Sequence, residues 1–244
     1  MKKAKIIKRI NPLFLKGICH RGLHNAEYIE NGMLAFNNAL SKHMAIELDI
    51  HLTKDNELVV IHDSTLKRVT GKEGIVEDLT LKEIKENYKL LNGETIPSLS
   101  EVLSLINEEI PIVIELKVFR KNYVPLAKRL KEELKERVKY KGNYLLISFD
   151  PRALFQFNKE GYVRQLLVTS EPKFRYVYHF RHFFEGVDLD YKLFEDKRVR
   201  RYCKKHFSNV WTIENKEKFD EFVPLSDCIT FQHIDVDYIK NKLN

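Results

Sequence analysis

The chain has 244 residues, of which 43% are hydrophobic and 32% are charged. This composition excludes an intrinsically disordered chain, and the length suits one domain, residues 1–244, of the α/β barrel size class. The net charge of +7 fits an anionic substrate, nucleic acid or an acidic membrane surface, and equally a protein that is merely basic. Three cysteines without a CxxC spacing indicate neither a disulfide framework nor a structural zinc site, so we expect a reducing compartment.

The N-terminal segment, residues 1–10, begins with basic residues but does not predict a signal peptide. Lys8, Arg9 and Lys16 interrupt the apolar stretch that such a peptide needs. No run in the chain approaches the roughly 18 apolar residues of a membrane span. We therefore predict a cytoplasmic protein. Because the segment is basic and partly apolar, peripheral contact with a membrane surface is the alternative.

Short strand-type segments then alternate with helix-type segments, a pattern typical of a parallel sheet with crossover helices. The predicted strands are residues 17–20, 45–50, 111–118, 144–149, 162–168, 186–190, 209–213 and 227–230. The predicted helices are residues 32–41, 98–108, 123–139, 151–159, 174–182, 195–206, 216–222 and 235–243. Eight strands in about 240 residues predict a (β/α)8 TIM barrel of the α/β class, and an open doubly wound sheet is the alternative.

One stretch, residues 64–97, does not follow this alternation. We predict that it forms an elaborated loop after the second strand, over the active face of the barrel. The helix that follows opens with Ser98 and Glu101, which have the spacing of a capping box. Pro151 directly after Asp150 suits the first turn of a later helix. The chain contains no Gly/Ser linker and no internal repeat, which supports one domain.

The second predicted strand carries two carboxylates on one face. Glu47 and Asp49 alternate with Ile46, Leu48 and Ile50, so a period of two separates the acids from the aliphatic side chains. The two acids lie about 7 Å apart along the strand, at roughly 3.3 Å per residue. Since unpaired buried carboxylates are costly, such a strand either lines a water-filled mouth or binds a cation. We favour the cation.

Other charged side chains collect where neighbouring strands are predicted to end. His20 and Arg21 end the first strand, and Glu115 and Lys117 share one face of the third. The apolar run that returns from the second strand stops at His62. Catalytic residues of a barrel lie at the C-terminal ends of its strands, so these side chains predict an active site. The alternative, in which the charges only stabilise the barrel, leaves unexplained why so many share one mouth.

A set of short motifs follows in fixed order from residue 20 to about residue 230. They are His20-Arg21-Gly22, Glu30-Asn31, Glu47-Leu48-Asp49, Thr53-Lys54-Asp55, His62-Asp63 with Leu66 and Arg68, Ile96-Pro97, Glu115-Leu116-Lys117, Ser148-Phe149 and Trp211-Thr212. This ordered set resembles the glycerophosphodiester phosphodiesterases, whereas one HRG or ExD motif alone would be weak. The resemblance implies a TIM barrel that uses a divalent cation to hydrolyse glycerophosphodiesters to glycerol 3-phosphate and an alcohol.

The resemblance also implies a metal site and an acid–base pair. The metal ligands would be Glu47, Asp49 and Glu115. Three carboxylates without a cysteine or imidazole ligand suit one hard divalent cation, Mg²⁺ or Ca²⁺. His20 and His62 would be the acid–base pair, because an imidazole near its ordinary pKa can take or give a proton at neutral pH.

Further matching positions would contact or support the substrate. Arg21 and Lys117 would bind the phosphoryl oxygens and stabilise charge in the transition state. Glu30 and Asn31 match a motif beside the first-strand site, where we expect a supporting or binding role. The substrate would therefore be a small glycerophosphodiester.

Two aromatic residues and two departures from the motif pattern concern the substrate pocket. Phe149 and Trp211 are either ordinary packing or the apolar wall for the glycerol and the leaving alcohol. Ile29 stands where the family usually has proline, which changes the loop without removing ligands. The last strand segment, residues 228–234, lacks the expected Thr-Asp or Thr-Asn ending. Residues 173–182 are basic and aromatic, and we interpret them as an amphipathic helix, with contact to lipid as the alternative.

Two other functions compete with this interpretation. One is a related barrel phospholipase D that acts on lysophospholipids through an apolar mouth. The other is a basic barrel without turnover that binds lipid or nucleic acid. Three converging carboxylates would repel a polyanion, so we expect no nucleic-acid partner. The histidines outside the motifs are interpreted as surface or structural residues, namely His24, His43, His51, His179, His182, His206 and His233.

Overall fold

The structure, a computed structural model, describes residues 3–243 except for the side chains of residues 172–175. Its strands are β1 Ile18–Cys19, β2 Ala45–Leu52, β3 Leu58–Val60, β4 Ile112–Leu116, β5 Tyr144–Ser148, β6 Val163–Val168, β7 Gly186–Asp190, β8 Phe207–Ile213 and β9 Cys228–Phe231. All of them except β3 run parallel, and β1 pairs with both β2 and β9. This double pairing closes the sheet, which confirms the (β/α)8 barrel. The open doubly wound sheet is wrong, because such a sheet has two edge strands.

Helices connect the strands and cover the outside of the barrel. The α-helices are α1 Lys3–Ile7, α2 Met33–Ser41, α3 Lys67–Thr70, α4 Leu81–Asn87, α5 Leu99–Ile106, α6 Tyr123–Arg137, α7 Pro151–Phe155, α8 Lys197–Lys205, α9 Lys216–Phe222 and α10 Val236–Leu243. The 3₁₀ helices are Pro12–Lys16, Val76–Asp78, Lys141–Asn143, Pro172–Phe183 and Tyr191–Glu195. The predicted α-helix over residues 174–182 is thus a 3₁₀ helix. No helix in the described part of the chain is long and apolar enough to cross a membrane.

Alternation along β2 and β4 places the acids inside the barrel, as predicted. Ile46, Leu48 and Ile50 of β2 belong to the apolar layer between the sheet and the outer helices. The intervening Glu47 and Asp49 point to the opposite face, which is the barrel interior. In the neighbouring β4, Ile112, Ile114 and Leu116 again face the helices, and the register with β2 brings the two interior faces side by side.

The start of α5 shows the predicted capping box. The Ser98 hydroxyl accepts a hydrogen bond from the Glu101 backbone N at 3.3 Å, and the Glu101 carboxylate accepts one from the Ser98 backbone N at 2.7 Å. Two backbone N–H groups that the helix itself leaves unpaired are satisfied in this way. Asp150 similarly caps α7, with Pro151 in its first turn. Both helix starts follow from local sequence alone.

Residues 6–14 close the end of the barrel at which the strands begin, here called the lower end. The sequence did not predict this. Ile6, Ile10 and Phe14 are buried there with Ile18 and Phe207, which lie on strands β1 and β8. Burying each large apolar side chain contributes about 1.5–3 kcal/mol. Ile6 and Ile10, two of the apolar side chains that suggested membrane contact, are therefore buried inside the protein.

The elaborated loop after the second strand is confirmed and has a small apolar cluster of its own. Residues 64–97 contain α3, a 3₁₀ helix and α4. Leu66, Val69, Val76 and Ile84 pack together there with the outer side of β3. The loop is thus folded rather than extended, and it can place polar side chains accurately over the barrel mouth.

Candidate active site

Three carboxylates meet near the C-terminal ends of β2 and β4. One oxygen from each of Glu47, Asp49 and Glu115 lies within 4.8 Å of the oxygens from the other two, and all three side chains are buried. Burial and the charges of Asp49 and Glu115 raise the pKa of Glu47 well above its ordinary value. Burial also raises the pKa of Glu115 to about 7, against the opposing effect of Lys117. The cluster is therefore electrostatically strained unless positive charge compensates it.

Two largely buried cations border the cluster. The Lys117 Nζ lies 2.9 Å from Glu115 Oε1 and 3.5 Å from Asp49 Oδ1. The Arg21 Nε lies 3.4 Å from Asp49 Oδ2, and its backbone N donates to Glu47 Oε2 at 3.0 Å. Although burial opposes ionisation, the two cations hold the pKa of Asp49 well below its usual range. If all three carboxylates are ionised, they exceed the two cations by one negative charge among these five residues.

The loop after β1 explains the first two motifs. Arg21 and Gly22 both have positive φ, at 54° and 80°, and a Cβ on Gly22 would lie 3.0 Å from the Ala35 backbone. This tight turn points the Arg21 guanidinium at Glu30, whose Oε1 accepts its hydrogen bond at 2.8 Å. The Asn31 side chain donates to Asp49 Oδ2 at 2.9 Å. Glu30 and Asn31 thus hold the cation and the carboxylate in place from behind.

His20 is fixed in one tautomer by its neighbours. Its Nδ1 lies 2.6 Å from Gln232 Oε1, and the Gln232 amide nitrogen donates to Glu214 at 2.6 Å. Since that second bond turns the amide oxygen towards His20, the His20 Nδ1 carries the proton and donates it. Its Nε2 is left as a proton acceptor. Burial and the adjacent Arg21 lower the pKa of His20 to about 3, so the ring is neutral at physiological pH.

His62 is oriented by a chain of charged groups. Its Nδ1 donates to Asp63 Oδ1 at 2.7 Å, and Asp63 Oδ2 accepts a hydrogen bond from Arg68 at 2.5 Å. Arg68 in turn donates to both oxygens of Glu30, at 2.8 and 2.9 Å. His51, a buried residue of β2, donates through its Nε2 to the His62 carbonyl at 3.0 Å. Burial lowers the pKa of His62. Because Nδ1 is paired with Asp63, the Nε2 of His62 is available for proton transfer, as the Nε2 of His20 is.

These groups surround one cavity of about 1090 Å³ with two different zones. The polar zone contains His20, Arg21, Glu47, His62, Glu115 and Lys117, together with Asp188 and Thr230 on the far side. The apolar zone contains Phe149, Phe155, Tyr176, Val177, Phe180 and Trp211. Phe149 and Trp211 meet edge to face, with ring centroids 5.9 Å apart. The cavity can therefore hold a ligand with an anionic, polar part and a less polar part.

A model of the glycerophosphoryl diester phosphodiesterase family matches residues 20–235 of the chain. The chain belongs to this family. A glycerophosphodiester phosphodiesterase of Bacillus altitudinis is 39% identical over 153 residues, which span 59% of this chain and 62% of that protein. A glycerophosphodiester phosphodiesterase of Caldanaerobacter subterraneus subsp. tengcongensis is 31% identical over 217 residues, covering 84% of this chain and 88% of that protein.

A solved structure of a phosphodiesterase of Oleispira antarctica has the same fold. It superposes with a TM-score of 0.80 at 21% identity, and the match covers 93% of this chain and 95% of that chain. That phosphodiesterase was solved in complex with the product sn-glycerol-3-phosphate. The family model and the sequence relatives confirm the family and the hydrolase class predicted from the motifs.

The structure brings the predicted site residues of this glycerophosphoryl diester phosphodiesterase family member together. Eight of them line the cavity, namely His20, Arg21, Glu47, His62, Glu115, Lys117, Phe149 and Trp211. Asp49 lies directly behind these and contacts both cations. Glu30 and Asn31 do not line the cavity, but Glu30 accepts a hydrogen bond from Arg21 and Asn31 donates one to Asp49. Ile29, the departure from the motif, packs against the cluster of the 64–97 loop.

Sequence reasoning missed three polar residues of the site. Gln232, which orients His20, lies in the segment where the expected ending of the last strand is absent. His51 continues the alternation of Glu47 and Asp49, so its inward position could have been read from the period of two. Asp188 alternates with Val187 and Leu189 on β7 in the same way.

Proposed function

We propose that this chain hydrolyses glycerophosphodiesters to glycerol 3-phosphate and an alcohol. The observation that carries the proposal is the convergence, in one cavity, of a buried carboxylate cluster, two buried cations and two histidines with free Nε2 atoms. Membership of the glycerophosphoryl diester phosphodiesterase family supports the reaction type. The product bound to the Oleispira antarctica phosphodiesterase supports the substrate class.

The carboxylate cluster suits one divalent cation, which we propose to be Mg²⁺ or Ca²⁺. Glu47, Asp49 and Glu115 would hold it, because oxygen ligands alone fit hard ions. The raised pKa of Glu47 supports the fit, because a bound cation would offset the repulsion from Asp49 and Glu115 that raises it. When bound, the cation would supply positive charge next to the phosphate. With the cation bound and all three carboxylates ionised, the cluster with Arg21 and Lys117 would carry one net positive charge, which favours binding of a singly negative phosphodiester.

The chain's own residues would carry the proton transfers and hold the phosphate. Arg21 and Lys117 would bind the non-bridging oxygens. His20 would take a proton on Nε2 from the attacking group, since its Nδ1 is already protonated. That group is either water or the glycerol hydroxyl, and in the second case water then opens the cyclic phosphate that forms. His62 would donate a proton from Nε2 to the leaving alcohol oxygen. Asp63 and the incoming phosphate both favour the protonated form of His62 that this step requires.

Release of glycerol 3-phosphate tests the function directly. We expect release from glycerophosphocholine and glycerophosphoethanolamine with Mg²⁺ or Ca²⁺, and loss of it with chelator. The control is inorganic-phosphate release in the same samples, which reports contaminating monoesterase. If wild type with either cation releases no glycerol 3-phosphate from any glycerophosphodiester, the proposed reaction is wrong.

A second candidate function, cleavage of lysophospholipids, has one observation in its favour. The apolar zone of the cavity continues to the surface along the 3₁₀ helix Pro172–Phe183, where Tyr176 and Phe183 are each 62% exposed. Phe155 packs against Phe183 with centroids 5.7 Å apart, so the exposed rim is continuous with the cavity wall. An acyl chain could lie along this rim, and the same rim could touch a membrane surface.

Phe180→Ala separates the two substrate classes. Phe180 lines the cavity in the apolar zone. If lysophospholipids are substrates, we expect the variant to lower kcat/KM for lysophosphatidylcholine by roughly 5–20-fold, since a large aromatic contact is lost. Turnover of glycerophosphocholine, which lacks the acyl chain, should change less than about twofold. Equal losses on both substrates would count against an acyl-chain role for this rim.

A further inference from the structure

A second polar group lies on the side of the barrel opposite the carboxylate cluster. It consists of Asp188 on β7, Asn209 on β8 and Thr230 on β9, all buried and at interior positions. Asp188 and Asn209 are register partners. The Asn209 amide donates to Asp188 Oδ1 at 2.8 Å and to Thr230 Oγ1 at 2.8 Å. The amide thereby holds the carboxyl group and the hydroxyl group at fixed positions.

This group is incomplete as a hydrogen-bond network. Asp188 is 2% exposed and lines the cavity, and its Oδ2 has no partner among the described side chains. The Asn209 Oδ1 is also buried without a hydrogen-bond partner. Buried polar groups are normally paired, so the open Asp188 oxygen at the cavity wall indicates a place for a polar ligand. Burial raises the pKa of Asp188 to about 8, so its carboxyl group can both donate and accept at neutral pH.

The shape of the cavity indicates which part of a substrate reaches this place. A glycerophosphodiester has a constant part, glycerol with its two free hydroxyls, and a variable part, the leaving alcohol. The variable part suits the open rim around Tyr176 and Phe180. The constant part suits the enclosed polar floor between Glu115 and Asp188.

We propose that Asp188, held by Asn209 and Thr230, binds a hydroxyl of the glycerol moiety and so selects glycerol-containing ligands. The inference rests on the proposed function, because it assumes that the substrate is a glycerophosphodiester. A ligand hydroxyl both donates and accepts, which matches the Asp188 carboxyl group and the Thr230 hydroxyl group, both at the cavity wall. Selection by a buried polar site is strong, because a ligand that lacks the hydroxyl leaves the site unpaired.

Binding and turnover of matched ligands test this role. Calorimetry with divalent cation present would compare sn-glycerol 3-phosphate with inorganic phosphate for wild type and for Asp188→Ala. We expect the variant to bind glycerol 3-phosphate about 10-fold more weakly, the loss of one hydrogen bond, and to bind phosphate as wild type does. Steady-state rates would be measured with glycerophosphocholine and with bis(p-nitrophenyl) phosphate, a diester that lacks glycerol. Only the first should show a higher KM.

Two variants keep the result interpretable. Asp188→Asn retains the shape and the hydrogen-bonding groups, so it should recover most of the affinity for glycerol 3-phosphate. Asp227→Ala removes an acid that pairs with Lys3 and does not line the cavity, so it should leave both ligands unaffected. Equal weakening of both ligands by Asp188→Ala, or no weakening of either, would overturn the inference. Because the binding arm needs no turnover, absence of hydrolysis would refute the proposed function without deciding the role of Asp188.

Discussion

Replacing His20 or His62 with alanine is expected to lower kcat for glycerophosphocholine by roughly 10²–10⁴-fold, the usual contribution of a positioned acid or base. Both rings present Nε2 to the cavity, because Gln232 and Asp63 accept the Nδ1 protons. Removal of either ring interrupts one of the two proton transfers in the same reaction. The double variant should therefore lose little more than the worse single variant, since residues that act together are not additive.

Steady-state rates with saturating cation would measure this effect. His206→Ala is a matched control, because His206 stacks on Tyr202 and does not line the cavity. Thermal unfolding would show that each variant remains folded. Wild-type kcat in His20→Ala or in His62→Ala would exclude that histidine from proton transfer, and a similar loss in His206→Ala would point to a general effect on folding.

Glu47→Gln is expected to abolish the stabilisation of the protein by divalent cations. In the wild type, Mg²⁺ or Ca²⁺ at about 100 times its Kd adds about 2.7 kcal/mol to the free energy of unfolding. At 2–4 °C per kcal/mol for a chain of this length, this raises Tm by roughly 5–10 °C. The variant should lack this rise and lack turnover. In chelator it should melt above wild type, because one of three mutually repelling buried carboxylates is gone.

Melting curves with Mg²⁺, with Ca²⁺ and with chelator would measure both effects, and Glu109→Gln, an exposed acid, is the control.

The pH dependence of Tm provides a second test of the metal site. Because the pKa of Glu115 is raised to about 7, its neutral form stabilises the cation-free protein at low pH, and this stabilisation is lost as pH rises through 7. We expect Tm in chelator to fall from about pH 5 to pH 8 and to fall less with cation. A cation-independent Tm in wild type would contradict the metal site.

Much of the site could be predicted because it lies on two strands with a strict period of two. The alternation of Glu47 and Asp49 with aliphatic residues determined which face each side chain takes. Glu115 repeats this pattern on β4, and neighbouring parallel strands bring both sets together. The capping box at Ser98 was predictable for the same reason, since its hydrogen bonds span only three residues.

Contacts between residues far apart in the chain could not be predicted in this way. Gln232 orients His20 across 212 positions, and its bond depends on β1 and β9 meeting when the barrel closes. Ile6 and Phe14 showed no periodic pattern, because they fill the lower barrel opening rather than one face of a long element. The 3₁₀ conformation of Pro172–Phe183 was likewise not predicted, because the sequence pattern indicated only a helix over residues 174–182.

The sequence by itself determined the strand pattern, the ordered motifs and the kinds of side chain at the site. These features can be read from residue identity and from the spacing of near neighbours alone. Closure of the barrel decided the rest. It set the tautomer of His20, the supporting chain from Glu30 through Arg68 to His62, and the placement of Asp188 opposite the carboxylates. These features depend on distances between strands and loops, which only the packed tertiary structure defines.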